Sequence, residues 1–158
     1  MRYLIDKINN KFAKEVALYE VLKSLTFKRI WNALKITSSF LISAIFKRNV
    51  VWGVPVILNV EPTNVCNLRC PLCITGSMQM KRPYGRMNFE MFKSAVDGIA
   101  DKLIYITLYH QGEPYLNTEF NNFVRYAKDK GIYVTTSSNA HFFDKESAEA
   151  VVNSGLDS

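Results

Sequence analysis

The run Asn59-Val-Glu-Pro-Thr-Asn-Val-Cys66-Asn-Leu-Arg-Cys70-Pro-Leu-Cys73 decides how this chain is read. All three cysteines of the 158 residues fall in its last eight positions. Three thiolates at spacings of four and three can wrap one metal centre, and a short loop aims them at one spot with little loss of entropy. Iron–sulfur clusters usually take four cysteines. The sequence holds no fourth, so a four-iron cluster here keeps one iron without a protein ligand. By analogy with catalytic zinc, an open coordination position is what a reactive site needs. Zinc completed by His110 or His141 stays open as an alternative at this point. A disulfide-stapled secreted scaffold does not fit so few cysteines.

Outward from this run the chain alternates strand and helix patterns. Residues 56–60 are mostly apolar and β-branched, a short buried strand with Pro55 at its start. Asn88 is positioned to cap a helix reaching about residue 102, with Phe92, Ala95, Val96 and Ile99 on one face. Residues 103–109 and 132–136 read as the second and third strands. Between them 118–130 forms a helix with Phe120, Phe123, Val124 and Ala127 inward and Gly131 as its stop. Asp144 caps a last helix that Gly155 ends. The order βαβαβα predicts a parallel sheet with right-handed crossovers. Ligands of such folds sit at the C-terminal ends of the strands. The informative loops are therefore 61–87, 110–117 and 137–143.

The region before Gly53 differs in character. Residues 1–50 carry ten Lys/Arg against three Asp/Glu, a net +7, while 51–158 carry −1. The basic excess predicts an arm, residues 1–52, on a near-neutral globular part, 53–158. Ile5, Ile8, Phe12, Val16, Tyr19 and Leu22 step by three and four, as on a helix. In a second helix, 28–46, Asn32, Lys35, Ser39 and Ser43 share one narrow polar face, and most of the remaining circumference is apolar. That surface wants a partner: the rest of the protein, favoured by the spread of apolar positions around the helix, or an anionic lipid surface. The composition, 48% hydrophobic and 13% aromatic, supports a real core. No apolar run reaches the roughly 18 residues of a membrane span.

The C-x3-C-x2-C spacing after a first strand resembles the radical S-adenosylmethionine (SAM) superfamily, and the whole run 59–73 looks like the cluster segment of its SPASM/twitch branch. Gly112-Glu113-Pro114 resembles the family's GGEP motif, Ser137-Ser138-Asn139 its TNG-like segment, and Gly155-Leu156-Asp157 the lead-in to a fourth strand. The resemblance covers residues 54–158. It implies an α/β fold: about three βα units, the first half of a partial (β/α)6 barrel, preceded by N-terminal helices and truncated after the third unit. It implies that Cys66, Cys70 and Cys73 ligate a [4Fe–4S] cluster whose open iron chelates SAM. One electron then cleaves SAM to methionine and a 5′-deoxyadenosyl radical, which abstracts hydrogen from a substrate. By the family pattern, the backbone at Gly112 and Glu113 receives the SAM amino group, Leu72 lies near adenine, and Ser138 and Asn139 near the methionine or ribose part. A flavodoxin- or ferredoxin-like electron donor, a peptide, cofactor-precursor or lipid substrate, no nucleic acid, and a cytoplasmic location with residues 1–50 for peripheral membrane contact complete the implied picture. Three positions depart from the pattern: Leu72 stands where an aromatic is frequent, Gln111 where the first glycine of GGEP stands, and Ala140 where a glycine follows Asn139. A non-catalytic iron–sulfur or zinc-binding interaction module is the competing function.

Overall fold

The computed structural model describes residues 15 and 17–158. The apolar stripe expected from Ile5 to Phe12, and Val16, lies outside them. Residues 17–23 are helical. Helix α1 follows (Phe27–Phe46), with the Thr26 hydroxyl accepting from Arg29 N at 3.4 Å and Lys47 ending it in the left-handed conformation. Then come β1 (Ile57–Asn59), α2 (Phe89–Asp97), β2 (Tyr105–Thr107), a 3-10 turn (Pro114–Leu116), α3 (Phe120–Asp129), β3 (Tyr133–Thr135) and α4 (Lys145–Ser154).

The strands form one parallel sheet in the order β1-β2-β3, with Leu58 beside Ile106 and Ile106 beside Val134. This is the α/β arrangement expected of half a radical SAM barrel. The strands are shorter than their apolar runs, because the flanking residues bend into loops while keeping single ladder bonds such as Val60 N to Thr107 O at 2.9 Å. Residues 157–158 continue the sheet. Asp157 N donates to Val134 O at 3.1 Å and Thr136 N to Ser158 O at 2.8 Å, so β3 is partly paired on its outer edge. The Asp157 carboxylate fixes this pairing by accepting from Val134 N and the Lys128 ammonium.

Helix caps follow the sequence. Asn88 Oδ1 accepts from Met91 N at 2.8 Å, and Asp144 with Ser147 forms a reciprocal capping box. Helix α2 stops at Asp97, earlier than residue 102, because Gly98 costs helix stability and the chain must turn into β2. The core lies between the sheet and α2–α3. Phe92 stacks on Phe123 at 4.6 Å between ring centroids, with Leu103, Ile106, Leu108, Val124 and Val134 fully buried around them. Each such side chain contributes about 2 kcal/mol by leaving water.

Helix α1 lies at the N-terminal ends of the strands. The buried Arg29 guanidinium donates to the carbonyls of Ser24, Ala100 (3.1 Å), Lys130 (2.8 Å) and Gly131. The last three lie where α2 and α3 hand over to β2 and β3. Burial pulls the Arg29 pKa below its ordinary value, with Asp101 opposing. Asn32 grips the backbone of Val54 at both its N–H and its carbonyl.

Candidate functional site

The loop after β1 is built to hold a shape before it binds anything. Thr63 and Asn64 are buried. The Thr63 hydroxyl donates to Gly85 O at 2.8 Å, and the Asn64 amide spans Pro83 O at 2.8 Å and Gly85 N at 2.7 Å. These bonds fold the loop back so that its two arms meet beside Thr63. Asn117 joins both arms from the next strand-end loop, donating to Pro62 O and Met87 O, each at 2.8 Å. Between the arms Cys73 N donates to Cys70 O at 3.1 Å, closing a turn. A Cβ on Gly76 would lie 2.5 Å from Cys70 N, so only glycine lets the segment after Cys73 press on the cysteine backbone. Hydrogen bonds from the backbone of Gly76 and Thr75 hold the Cys73 thiol below its ordinary pKa, favouring the thiolate.

Glu113 joins all three strand-end loops. It is 2% exposed. Its N–H donates to Val65 O at 2.8 Å, next to Cys66. Its carboxylate accepts from the Ser138 hydroxyl and from Asn139 N, each at 2.8 Å, and from Tyr115 N at 3.2 Å. Asn139 Nδ2 returns to the cysteine loop, donating to Asn67 Oδ1 at 2.8 Å. Gly112, at φ 76°, packs against the same loop: a Cβ there would lie 2.5 Å from Thr63 O and 2.7 Å from Val65 O. Its glycine is thus demanded by the protein's own backbone. Ala140 holds φ 59° although it is not glycine, its N–H donating to the Ser138 hydroxyl at 3.0 Å. The strain expected there is present, and local side-chain hydrogen bonds offset it.

The structure therefore brings Gly112, Glu113, Ser138 and Asn139 together with the cysteine loop, whereas Leu72 stands fully exposed on that loop, apart from this network. Cys70 is exposed, Cys66 and Cys73 are half-buried, and a cleft of about 380 Å³ opens beside Cys66 between Asn67, Thr75, Gly76 and Tyr84. Among the described residues no three His, Cys, Asp or Glu side chains converge as a ready metal site, so the thiols must turn to share one centre. The donor chemistry fits such a centre: three free thiols on one loop. Among the described residues two buried hydroxyls lack a partner, Thr107 at the end of β2 and Tyr115 in the turn after it. Burial, with Glu113 nearby, pushes the Tyr115 pKa up to about 12.

Sequence reasoning passed over four members of this site. Gln111, noted there only as a departure, accepts from the Thr75 hydroxyl at 3.0 Å and lies 4.0 Å from Cys73 Sγ. Asn64, Asn117 and Gly76 hold the loop. Their signal is the small and amide residues packed around the cysteines.

Comparison with known proteins gives the family. A family model described as the Radical SAM superfamily matches residues 60–158. The chain is 24% identical over 105 residues to the PqqA peptide cyclase of Rhodopseudomonas palustris, covering 66% of this chain and 28% of that protein. It is 26% identical over 107 residues to the Fe-coproporphyrin III synthase of Methanosarcina barkeri, covering 68% and 25%. The match thus spans about a quarter of the length of these curated relatives. Among solved structures, BtrN in complex with AdoMet and 2-DOIA has a TM-score of 0.56 at 18% identity, over 65% of this chain and 43% of that one. Streptococcus suis SuiB bound to S-adenosylmethionine has a TM-score of 0.54 at 19% identity, over 69% and 25%. At such identities the structural likeness is one of fold. Because the family match takes in all three strand-end loops and most of the chain, this protein belongs to the radical SAM superfamily, whose cofactors are a [4Fe–4S] cluster and S-adenosylmethionine.

Proposed function

We propose that Cys66, Cys70 and Cys73 hold a [4Fe–4S] cluster and that the loops 110–117 and 137–143 receive SAM against it. The observation that carries this reading is the union of three strand-end loops at Glu113, which joins the cysteine loop to the two segments implied to contact SAM. When bound, the pair supplies one-electron cleavage of a sulfur–carbon bond, giving methionine and a 5′-deoxyadenosyl radical that abstracts hydrogen from substrate. The chain's own residues prepare for it. Glu113 fixes the spacing between the loops. Gly112 keeps the β2 loop close to the cysteine loop. Ser138 and Asn139, tied to Glu113, present the β3 loop to the methionine or ribose part. Leu72 offers an aliphatic contact to adenine from its exposed position.

The substrate class we favour is a peptide. The supporting observations are a relative named for cyclising a peptide and a structural neighbour, SuiB, solved with its precursor peptide SuiA. A small reducing protein of the flavodoxin or ferredoxin kind supplies the electron. Residues 53–158 form the N-terminal part of the radical core, and 1–52 a basic extension.

Anaerobic reconstitution with iron and sulfide, followed by dithionite and SAM, tests the reading. Uptake of about four irons per chain and release of 5′-deoxyadenosine are expected. Stoichiometric zinc with no iron uptake, the signature of a zinc-binding interaction module, overturns it.

A further inference from the structure

Helix α1 turns most of its polar stripe inward and leaves Lys35 of that stripe exposed. Arg29, Asn32 and Ser39 are buried, Ser43 is half-buried against Val50, and their side-chain polar atoms, except the unpartnered Arg29 Nε, bond backbone groups of the same chain. Outside, beside the exposed polar Lys28, Lys35, Thr37 and Ser38, the large apolar Phe27, Ile30, Trp31, Leu34, Leu41 and Ile45 are all exposed, Phe27 by 80% and Ile45 by 72%. Thr37 interrupts this face, but its hydroxyl donates to Ala33 O at 3.0 Å. Trp52 extends it across a cleft of about 620 Å³ that Trp31, Leu34, Lys35 and Ser38 also line. So many large apolar side chains on one helix face mark an interaction surface.

Position and charge indicate what covers it. Arg29 anchors α1 at the N-terminal ends of the strands, opposite the cysteine loop. The outer face of α1 therefore looks away from the sheet. Residues 21–60 contain six Lys/Arg and no Asp or Glu. Lys35 Nζ lies 6.0 Å from the Trp31 ring centre, and Lys47 and Arg48 follow the helix end, both exposed. An apolar face with tryptophans at its edge and Lys35, Lys47 and Arg48 around it, Asp101 being paired with Lys28 at the N-terminal end of the helix at 3.4 Å, is complementary to an anionic apolar surface. No helix among the described residues is long and apolar enough to cross a membrane.

We propose that α1 seats this protein on an anionic lipid surface, lying in the plane of the headgroups with Trp31 and Trp52 at the boundary and Lys35, Lys47 and Arg48 among the lipid phosphates. The cysteine loop then faces away from the membrane.

The test uses the intact chain and vesicles of phosphatidylcholine, alone or mixed with phosphatidylglycerol. Sedimentation reads binding, and tryptophan emission with brominated lipids reads depth. Expected are binding to the anionic vesicles about a hundred-fold tighter than to neutral ones, weakening as salt shortens the screening length, and quenching of a blue-shifted emission. Leu34→Glu with Leu41→Glu should abolish binding, and Lys35→Glu with Lys47→Glu should remove the anionic preference. Both variants change exposed residues, and an unchanged melting curve shows that they fold. No vesicle binding at low salt, or equal binding by the folded variants, overturns the proposal. So does a salt-insensitive dimer that Leu34→Glu dissolves without any vesicle binding, which would assign the face to a second copy.

Discussion

Gly112→Ala separates two reasons for a glycine at the site. If glycine is there only to admit a ligand, an added methyl should weaken SAM binding and leave the apo-protein intact. The structure says otherwise. The new Cβ would lie 2.5 Å from Thr63 O, 2.7 Å from Val65 O and 2.9 Å from Asn64 C, all backbone atoms that cannot rotate away. Its φ of 76° adds about 1–2 kcal/mol for a residue with a side chain. Pushing the cysteine loop outward adds about 1–3 kcal/mol, as overpacking does elsewhere. It also stretches the 2.8 Å bond from Glu113 N to Val65 O. Together these cost about 2–5 kcal/mol, a fall in melting temperature on the order of 10 °C for a chain of this size. Circular dichroism melts, iron per chain after reconstitution and SAM affinity by calorimetry should be measured on the same preparation. Melting temperature and iron content are expected to fall together, because the displaced carbonyls adjoin Cys66. A variant that melts like the parent, binds iron fully and loses only SAM would refute this steric argument.

Other outcomes follow from the same contacts. Cys66→Ala, Cys70→Ala and Cys73→Ala should each fail to hold a four-iron cluster after reconstitution, since no further cysteine can replace them; iron and sulfide analysis checks this. Arg29→Met should leave four carbonyls without their donor and cost about 3 kcal/mol in urea unfolding, while iron uptake at the far end of the sheet stays normal. The Asp144 carboxyl is held below its ordinary 3.8, first by the Ser147 hydroxyl and then by the Ser147 backbone N–H. Its contribution is therefore complete above the unfolded value and is lost as pH falls through the lower folded value. Asp144→Asn, which keeps a capping oxygen, should make urea midpoints less steep with pH in that acid window.

Much of the frame was legible because it depends on local pattern. Asn88, Asp144, Gly131 and Gly155 announce helix ends by capping and by left-handed turns, and the structure uses each of them so. The placing of the cysteines after a first strand, with Gly112-Glu113 and Ser138-Asn139 after the next two, brought three loops to one end of the sheet. Other features were out of reach because they depend on where distant backbone lies. Helix α1 reads as a narrow polar stripe on an apolar cylinder, and nothing local says which side faces in. Most of the stripe faces in, Lys35 excepted, because the carbonyls of Ala100, Lys130 and Gly131 need donors, and Arg29 on the same side of the helix meets them from a distance of some 70 to 100 residues in sequence. Gln111 likewise read as a lost glycine, yet it bonds Thr75 beside Cys73.

Among the described residues the two deeply buried charged side chains, Arg29 and Glu113, follow one electrostatic logic. Helices α2, α3 and α4 each begin after a strand-end loop and run back toward the opposite end of the sheet. Their peptide dipoles leave partial positive charge at the loop end and partial negative charge at the other. Glu113, 2% exposed, sits at the positive end and accepts from N–H and O–H donors; Arg29, 2% exposed, sits at the negative end and donates to helix-terminal carbonyls. Each finds polar partners of the complementary sign at its end of the sheet, although burial still draws the Arg29 pKa down against the opposing charge of Asp101. The same polarity bears on the cysteines. Three thiols must lose their protons to bind iron, and they stand at the end where unpaired N–H groups favour negative charge, with Cys73 already drawn toward the thiolate by Gly76 and Thr75. Glu113 adds a negative charge to that end, but both its oxygens are spent on Ser138, Asn139 and Tyr115. Its electrostatic cost to the thiolates is reduced by the donors it engages, while its mechanical role, holding three loops at one spacing, is kept.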